Sequence, residues 1–462
     1  MFKVRSFHAL FIAILLFAAT SFAQEEIFFL GSELGVGARA MSMGGAYIGV
    51  SDDYSAMYWN PAGLGQVRRM EMNVGFSHNR ASNSATFLGE KFDAENTFTR
   101  LNSIGFVFPV PTYRGSLVFG IGYNKIRDFD NTLEINGFNP RYAAYPNKVI
   151  PTYPEEDGFS TIIDDSLFQS QTLLEEGGLN HFTLSGALEV QENFYLGASI
   201  NFVSGTDDYT IRFGEEDIFG IYNRPFDAAT GIIADLDYWN YEYGIISKFS
   251  ATNIKIGALY RMGNAVRVGA TIVTPTQYKI TENWRESFEE FYDWGAEDPF
   301  ERKGEFQYTI QEPYSFGVGA SLKFVNLMLS GGAEFKDWSQ AKFRTEPPVA
   351  GISKGDINLR IKQDFKAVTK LHLGAEFYLP VIRARLRAGW SDVPSAYRYT
   401  NIVPDKEFLT AGISLLLDKQ VMFDAGLVHG SWKQETTDDL TGVATLEERS
   451  FDKIIGTLSI RF

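Results

Sequence analysis

RSFDKIIGTLSIRF, residues Arg449 to Phe462, alternates strictly: Ile454, Gly456, Leu458, Ile460 and Phe462 share one face, and Lys453, Thr457, Ser459 and Arg461 the other. Successive side chains of a strand point to opposite faces, so this segment carries one continuous apolar stripe. Repeated along a chain in segments of about ten residues, apolar outward and polar inward, that pattern suits a sheet bathed in lipid. The sheet has to close, because hydrocarbon offers no partner to a free edge.

Testing the rest of the sequence for the same period gives fourteen strands and predicts an all-β, 14-stranded antiparallel transmembrane β-barrel. Met72, Val74 and Phe76 mark the outward face of the first, Leu196, Ala198, Ile200 and Phe202 that of the fifth, and Leu371, Leu373, Ala375 and Phe377 that of the tenth. Six connections are tight: Pro111 to Arg114, Gln191 to Asn193, Gly263-Asn264, Phe324 to Asn326, Pro380-Val381 and Lys419-Gln420. The other seven read as long, polar and acidic, and the two kinds alternate. Short periplasmic turns, long outer loops and periplasmic N- and C-termini produce that alternation. Trp239, Trp284, Trp338, Trp390 and Trp432 fall on the long-loop halves, where an aromatic girdle is expected.

Composition agrees with strands rather than helices. The chain is 15% aromatic with 43 Gly and 39 Phe, yet after the leader no apolar run approaches the roughly 18 residues of a membrane helix. Residues 1–23 read as a signal peptide: Lys3 and Arg5, an apolar run from Ala9 to Ala19, and Ser21-Phe22-Ala23 for cleavage. With no cysteine anywhere, a lipoprotein anchor, disulfides and thiolate metal sites are excluded. The net charge of −15 becomes −17 once Lys3 and Arg5 are removed, which argues against nucleic-acid binding. The histidines are scattered, and no catalytic or phosphate-binding motif is present. The expectation is therefore a non-enzyme without cofactors. Asp207-Asp208, Glu215 to Asp217 and Asp438-Asp439 lack the ligand spacing of a calcium loop and read as solvated surface.

Two outer connections show helical spacing. Between Ser160 and Gly178, Ile163, Leu167 and Leu174 line one face. Between Thr281 and Gly295, Trp284, Phe288, Phe291 and Tyr292 recur at i, i+4, i+7 and i+8. Amphipathic helices above a barrel mouth would form a capture groove for hydrophobic molecules; helices that merely cap the loops explain the pattern equally well.

Residues 24–68 precede the barrel, residues 69–462, and do not read as strand. They contain GVGARAMSMGGA (Gly35 to Ala46) and SDDYSAMYWNPAGL (Ser51 to Leu64). Small residues let a plug without its own core press against a wall. Gly44-Gly45 should break one short helix, Ser51, Asp52 and Asp53 are placed to cap the next, and Asn60, preceding proline, is biased away from helix. These motifs resemble the FadL/TodX family of outer-membrane transporters for long-chain fatty acids and other hydrophobic compounds. The resemblance implies that residues 24–68 form a helical hatch inside the lumen, with Asn60, Pro61 and Ala62 near the substrate path. A turn that simply ends the plug explains Asn-Pro as well.

On the tenth strand, inward positions include Arg360, Lys362, Asp364, Lys366, Lys370, His372 and Glu376, and on the eleventh Arg383, Arg385 and Arg387. Such charges avoid lipid, where Arg or Lys at mid-depth costs roughly 2–4 kcal/mol. Some could receive the carboxylate of an amphipathic substrate, with Lys370, His372 and Arg387 the candidates. Alternatively they pair with Asp52, Asp53, Glu334 and Glu376 and lock the plug; the Pro380 turn places Glu376 opposite Arg385.

The leading expectation is passive transport of hydrophobic or amphipathic small molecules across a Gram-negative outer membrane, in contact with membrane lipid. Phe462 would be read by the barrel-assembly machinery. The alternative is a secretion-linked barrel resembling PorV that shuttles cargo proteins.

Overall fold

The computed structural model describes residues 35–144, 160–161, 165–227, 232–292, 295–296, 299–348, 351–399, 403–437 and 440–462. The expected signal segment, residues 24–34 of the expected hatch, Ile163 and Asp438-Asp439 lie outside them. Two short helices, α1 (Ala38–Met41) and α2 (Ala56–Trp59), and a 3-10 turn (Pro61–Gln66) precede the first strand. Gly44 and Gly45, at φ 61 and 75, end the α1 turn, and Asn60 is extended at φ −153 with its side chain accepting from Ala62 N. Asp53, rather than Ser51 or Asp52, serves the α2 end, accepting from the Ser55 amide at 2.9 Å.

Fourteen antiparallel strands follow. They are β1 (Glu71–Phe87), β2 (Glu90–Val110), β3 (Leu117–Asp128, resumed at Asn131–Asn139), β4 (Leu167–Gln191) and β5 (Phe194–Glu216). Next come β6 (Tyr238–Met262), β7 (Val266–Val273, resumed at Thr276–Tyr292), β8 (Phe300–Glu312, resumed at Ser315–Phe324) and β9 (Leu327–Asp337). The last are β10 (Ala367–Leu379), β11 (Ala384–Val393), β12 (Lys406–Leu416), β13 (Val421–Thr437) and β14 (Ala444–Arg461). The β14 ladder onto β1, from Glu71↔Arg461 to Thr86↔Leu446, closes the barrel. The outward positions read from the sequence are exposed, as at Phe76, Ile200, Leu373, Leu427 and Ile454. Lys453, Ile455, Thr457 and Ser459 of β14 are buried inside. No helix among the described residues is long and apolar enough to cross a membrane.

The outer connections differ from expectation. Much of what read as loop is strand: β1 and β2 run on to a two-residue turn at Leu88-Gly89. Polar, Thr- and Asn-rich sequence pairs across a hairpin without needing a greasy face. The described parts of both predicted outer helices are also strand. Leu167–Gln191 is β4, and Trp284, Phe288, Phe291 and Tyr292 belong to the outer part of β7. Among the described residues the α-helix in this region is α3 (Lys354–Asp364), which Ser353 and Asp356 start as a capping box. Arg360, Lys362 and Asp364 therefore belong to α3, not to the tenth strand.

Tryptophan does not form the expected girdle. Trp239 is wholly buried and Trp338 nearly so, Trp284 and Trp432 face inward beside Gly304 and Phe408, and Trp390 pairs with the outward Leu373. On β7 one cause is visible. Below the break the odd positions Arg267 and Gly269 face the hatch, whereas above it the even positions Tyr278 and Ile280 are buried. The ladders of β7 and β8 lapse together at Thr274-Pro275 and Pro313-Tyr314, resuming at Thr276↔Glu312. Such an irregularity exchanges the faces of a strand.

Candidate functional site: the plugged lumen

The hatch fills the lower lumen. Ala40, Met43, Tyr47, Val50, Ala56, Met57, Ala62 and Leu64 are fully buried. The wall accommodates it with a belt of inward glycines that face each other across the ladders: Gly105↔Gly122, Gly197↔Gly257, Gly269↔Gly319, Gly374↔Gly389 and Gly412↔Gly426. A Cβ on Gly257 would lie 2.1 Å from Asn60 Oδ1, and one on Gly389 2.2 Å from Gly44 N. Glycine is required there by close approach of the hatch, through the Asn60 side chain at Gly257 and through backbone at Gly389.

A plug of loops and short helices leaves many carbonyls without partners, and wall side chains supply them. Ser116 Oγ donates to Gly65 O (2.7 Å), Ser199 Oγ to Met57 O (2.9 Å), Ser321 Oγ to Gly49 O (3.2 Å) and Thr410 Oγ1 to Ser42 O (3.0 Å). Asn60 Nδ2 bridges Ile48 O and Ala258 O, both at 3.0 Å, which ties the 3-10 turn to β6. Asn60, Pro61 and Ala62 thus sit buried against β5 and β6, while Gly44 and Gly45 press on β10 and β11.

An ionic cage completes the attachment. Arg39 bridges Asp52 and Glu376, the latter at 2.9 Å. Arg267 reaches Asp52 at 2.9 Å, and Tyr47 Oη donates to Asp53 at 2.6 Å. Arg387, opposite Glu376 rather than Arg385 in the ladder, donates to Glu376 (2.8 Å), Asp424 (2.9 Å) and Ser414. The expected Glu376–Arg385 register was displaced because the turn spans Pro380 to Arg383, two residues longer than Pro380-Val381. Buried charges are normally paired in this way.

The three head-group candidates therefore separate. Arg387 is a fully buried strut of the cage. His372 Nδ1 donates to Gly44 O at 2.8 Å, and its Nε2 lies 3.3 Å from Glu334. Lys370 sits directly across the ladder from that same Glu334. A cation that sequence reasoning passed over, Lys255 on β6, donates to Tyr58 O and lies 4.7 Å from the Tyr58 ring. Its signal was an inward lysine between outward Ile254 and Ile256.

Above the hatch lies an apolar cluster, with buried polar groups such as Glu282, Glu175 and Lys453 elsewhere in the wall. Ile357 and Ile361 of α3 turn inward onto a buried cluster that includes Tyr308, Trp338, Phe343 and Phe365 and extends to Phe129, Phe249 and Tyr278. Phe288 and Tyr292 enter a second outer cluster with Trp239 and Tyr241, while Phe291 stacks on Tyr238 with centroids 4.3 Å apart. Glu215 and Asp207, read above as solvated surface, are instead buried, and Glu215 accepts from Ala144 N, Gln169 Nε2 and Trp239 Nε1, each at 2.8 Å. A cavity of about 160 Å³ adjoins the break in β3, lined by Gly35, Arg127, Asp130, Glu175 and Arg449 among others.

No family model matches the sequence, and no curated protein does. Solved structures match in fold. The chain is similar to the toluene transporter TodX of Pseudomonas putida, with 15% identity over 93% of this chain and 99% of that one and a TM-score of 0.60. It is similar to the monoaromatic hydrocarbon channel CymD at 15% identity, 94% and 99% coverage and a TM-score of 0.54. A FadL homologue of Pseudomonas aeruginosa matches at 12% identity, 94% and 99% coverage and a TM-score of 0.55.

Proposed function

We propose that this chain is a passive outer-membrane transporter of hydrophobic or amphipathic small molecules, with monoaromatic hydrocarbons and long-chain fatty acids as substrate classes. The observation that carries the reading is a lumen of two parts: a continuous aromatic and aliphatic cluster directly above a hatch of small residues held by side-chain contacts. A greasy passenger can replace the contacts that the upper cluster makes with itself. The hatch keeps water and ions from following. The substrate's own gradient supplies the driving force.

Trp284, Phe288 and Tyr292 line the inlet on this reading, with Phe291 on its outer side. Asn60, Pro61, Ala62, Gly44 and Gly45 are the points where the hatch must loosen, and Lys370 with His372 form the head-group station above it. The short turns and both termini lie on the periplasmic side. Cargo-protein shuttling would need an exposed platform, whereas α3 turns Ile357 and Ile361 inward.

Vesicles containing the purified protein should take up labelled toluene and a labelled long-chain fatty acid faster than empty vesicles while excluding a hydrophilic dye. Uptake equal to that of empty vesicles would refute transport. Lipid extraction and mass spectrometry of the purified protein identify what it carries.

A further inference from the structure

At the short-turn end, beneath the hatch, a cavity of about 280 Å³ lies between Arg39 and Asp52 of the hatch and the ends of β7 to β13. Five cations line it, Arg39, Arg267, Lys323, Arg383 and Arg385, against two carboxylates, Asp52 and Glu376, in a chain of net charge −15. Both carboxylates are already engaged. Asp52 takes Arg39 and Arg267, and Glu376 takes Arg39 at 2.9 Å and Arg387 at 2.8 Å.

The remaining cations are under-used. Arg385 is 31% exposed and reaches Glu376 only at 3.7 Å; its Nη1 faces the sulfur of Met422 at 3.6 Å and its guanidinium lies 5.9 Å from the Tyr378 ring. Lys323 and Arg383 are exposed and pair with no carboxylate among the described residues. Beside these charges the lining is apolar, at Leu327, Leu416 and Met422. A guanidinium fork held by one long ion pair, or by none, still matches the two oxygens of an incoming carboxylate.

We propose that this cup receives the carboxylate head of an amphipathic passenger as it clears the hatch, with the tail resting on Leu327, Leu416 and Met422. The inference rests on the transport reading and adds an exit-side station for acids that a neutral hydrocarbon would not use. Arg383 and Arg385 hold the head, and Lys323 draws it in from the rim.

Calorimetric titration of the full chain, purified in an uncharged detergent, tests it with octanoate, 1-octanol and acetate as probes. Octanoate should bind more tightly than either of the others, and binding should weaken with salt. The double variant R383Q/R385Q should bind octanoate about ten-fold more weakly, the loss of roughly one well-placed charged contact. Should that variant not assemble, Lys323→Gln should give a smaller weakening in the same direction. Unchanged octanoate affinity in the assembled variants overturns the proposal, as does octanol binding as well as octanoate. Acetate binding as well as octanoate overturns the amphiphile. Toluene uptake by wild-type vesicles reads the transport proposal separately, so that failure of one leaves the other measurable.

Discussion

Around the hatch the wall meets its plug with paired glycines, serine hydroxyls and guanidinium groups, whereas the outer half meets its cap with Tyr308, Trp338, Phe343 and Phe365 against Ile357 and Ile361. The first contact set is directional. Removing one partner strands a buried charge or carbonyl. The second set is held mainly by non-directional apolar burial. On the proposed transport reading this division has a use: the apolar half parts around a passenger, while the hatch holds until its contacts are exchanged together.

Arg39→Ala should break that contrast most severely. It leaves Asp52 and Glu376 short of a buried partner and should weaken hatch attachment by about 3–5 kcal/mol. Hydrogen exchange of residues 35–67 should rise while the barrel strands stay protected, and equal protection would refute the cage. Ile361→Ala, in the apolar half, should cost about 2–4 kcal/mol through the cavity it leaves. Added toluene should restore part of that loss in thermal melts; a melt insensitive to toluene would refute a replaceable cluster.

Gly389→Ala inserts a methyl where the hatch backbone passes, and should cost about 1–3 kcal/mol by overpacking and raise leak of a hydrophilic dye through vesicles. Gly186→Ala, whose added Cβ meets only the outward Phe119 ring and a β3 carbonyl at 3.4 Å or more, should not leak. Ser353→Ala is the smallest, removing the α3 cap for about 1 kcal/mol and loosening the outer cap alone. Hydrogen bonding to Ser353 holds the exposed Asp356 carboxyl below its usual range. Its share of the cap is thus complete above the ordinary aspartate range and fades as pH falls through it. Exchange rates in α3 that stay flat across that window would refute the effect.

Much of the barrel was legible because period two survives wherever lipid wets the wall: Leu458 and Ile460 face out and Ser459 in, as their alternation requires. The false helix on β7 has a simple origin. Residues 284, 288 and 292 are four apart, which places them on one face of a helix and equally on one face of a strand. The true helix carried its own signal in Ser353, Asp356, Ile357 and Ile361, obscured because Arg360, Lys362 and Asp364 also alternate with the residues between them. The positions of the head-group candidates could be named but not their partners. Whether Glu376 meets Arg385 or Arg387 depends on the length of one turn.

Composition and alternation by themselves determined a closed, lipid-facing sheet with a small-residue segment before it, because solvent acts on each residue through its polarity and its parity along the strand. Which glycines pair, which carboxylate each arginine takes, and how β7 and β8 exchange faces at their prolines were settled only by the fold. Those outcomes depend on register between strands distant in sequence, where a shift of one residue turns every side chain to the opposite side.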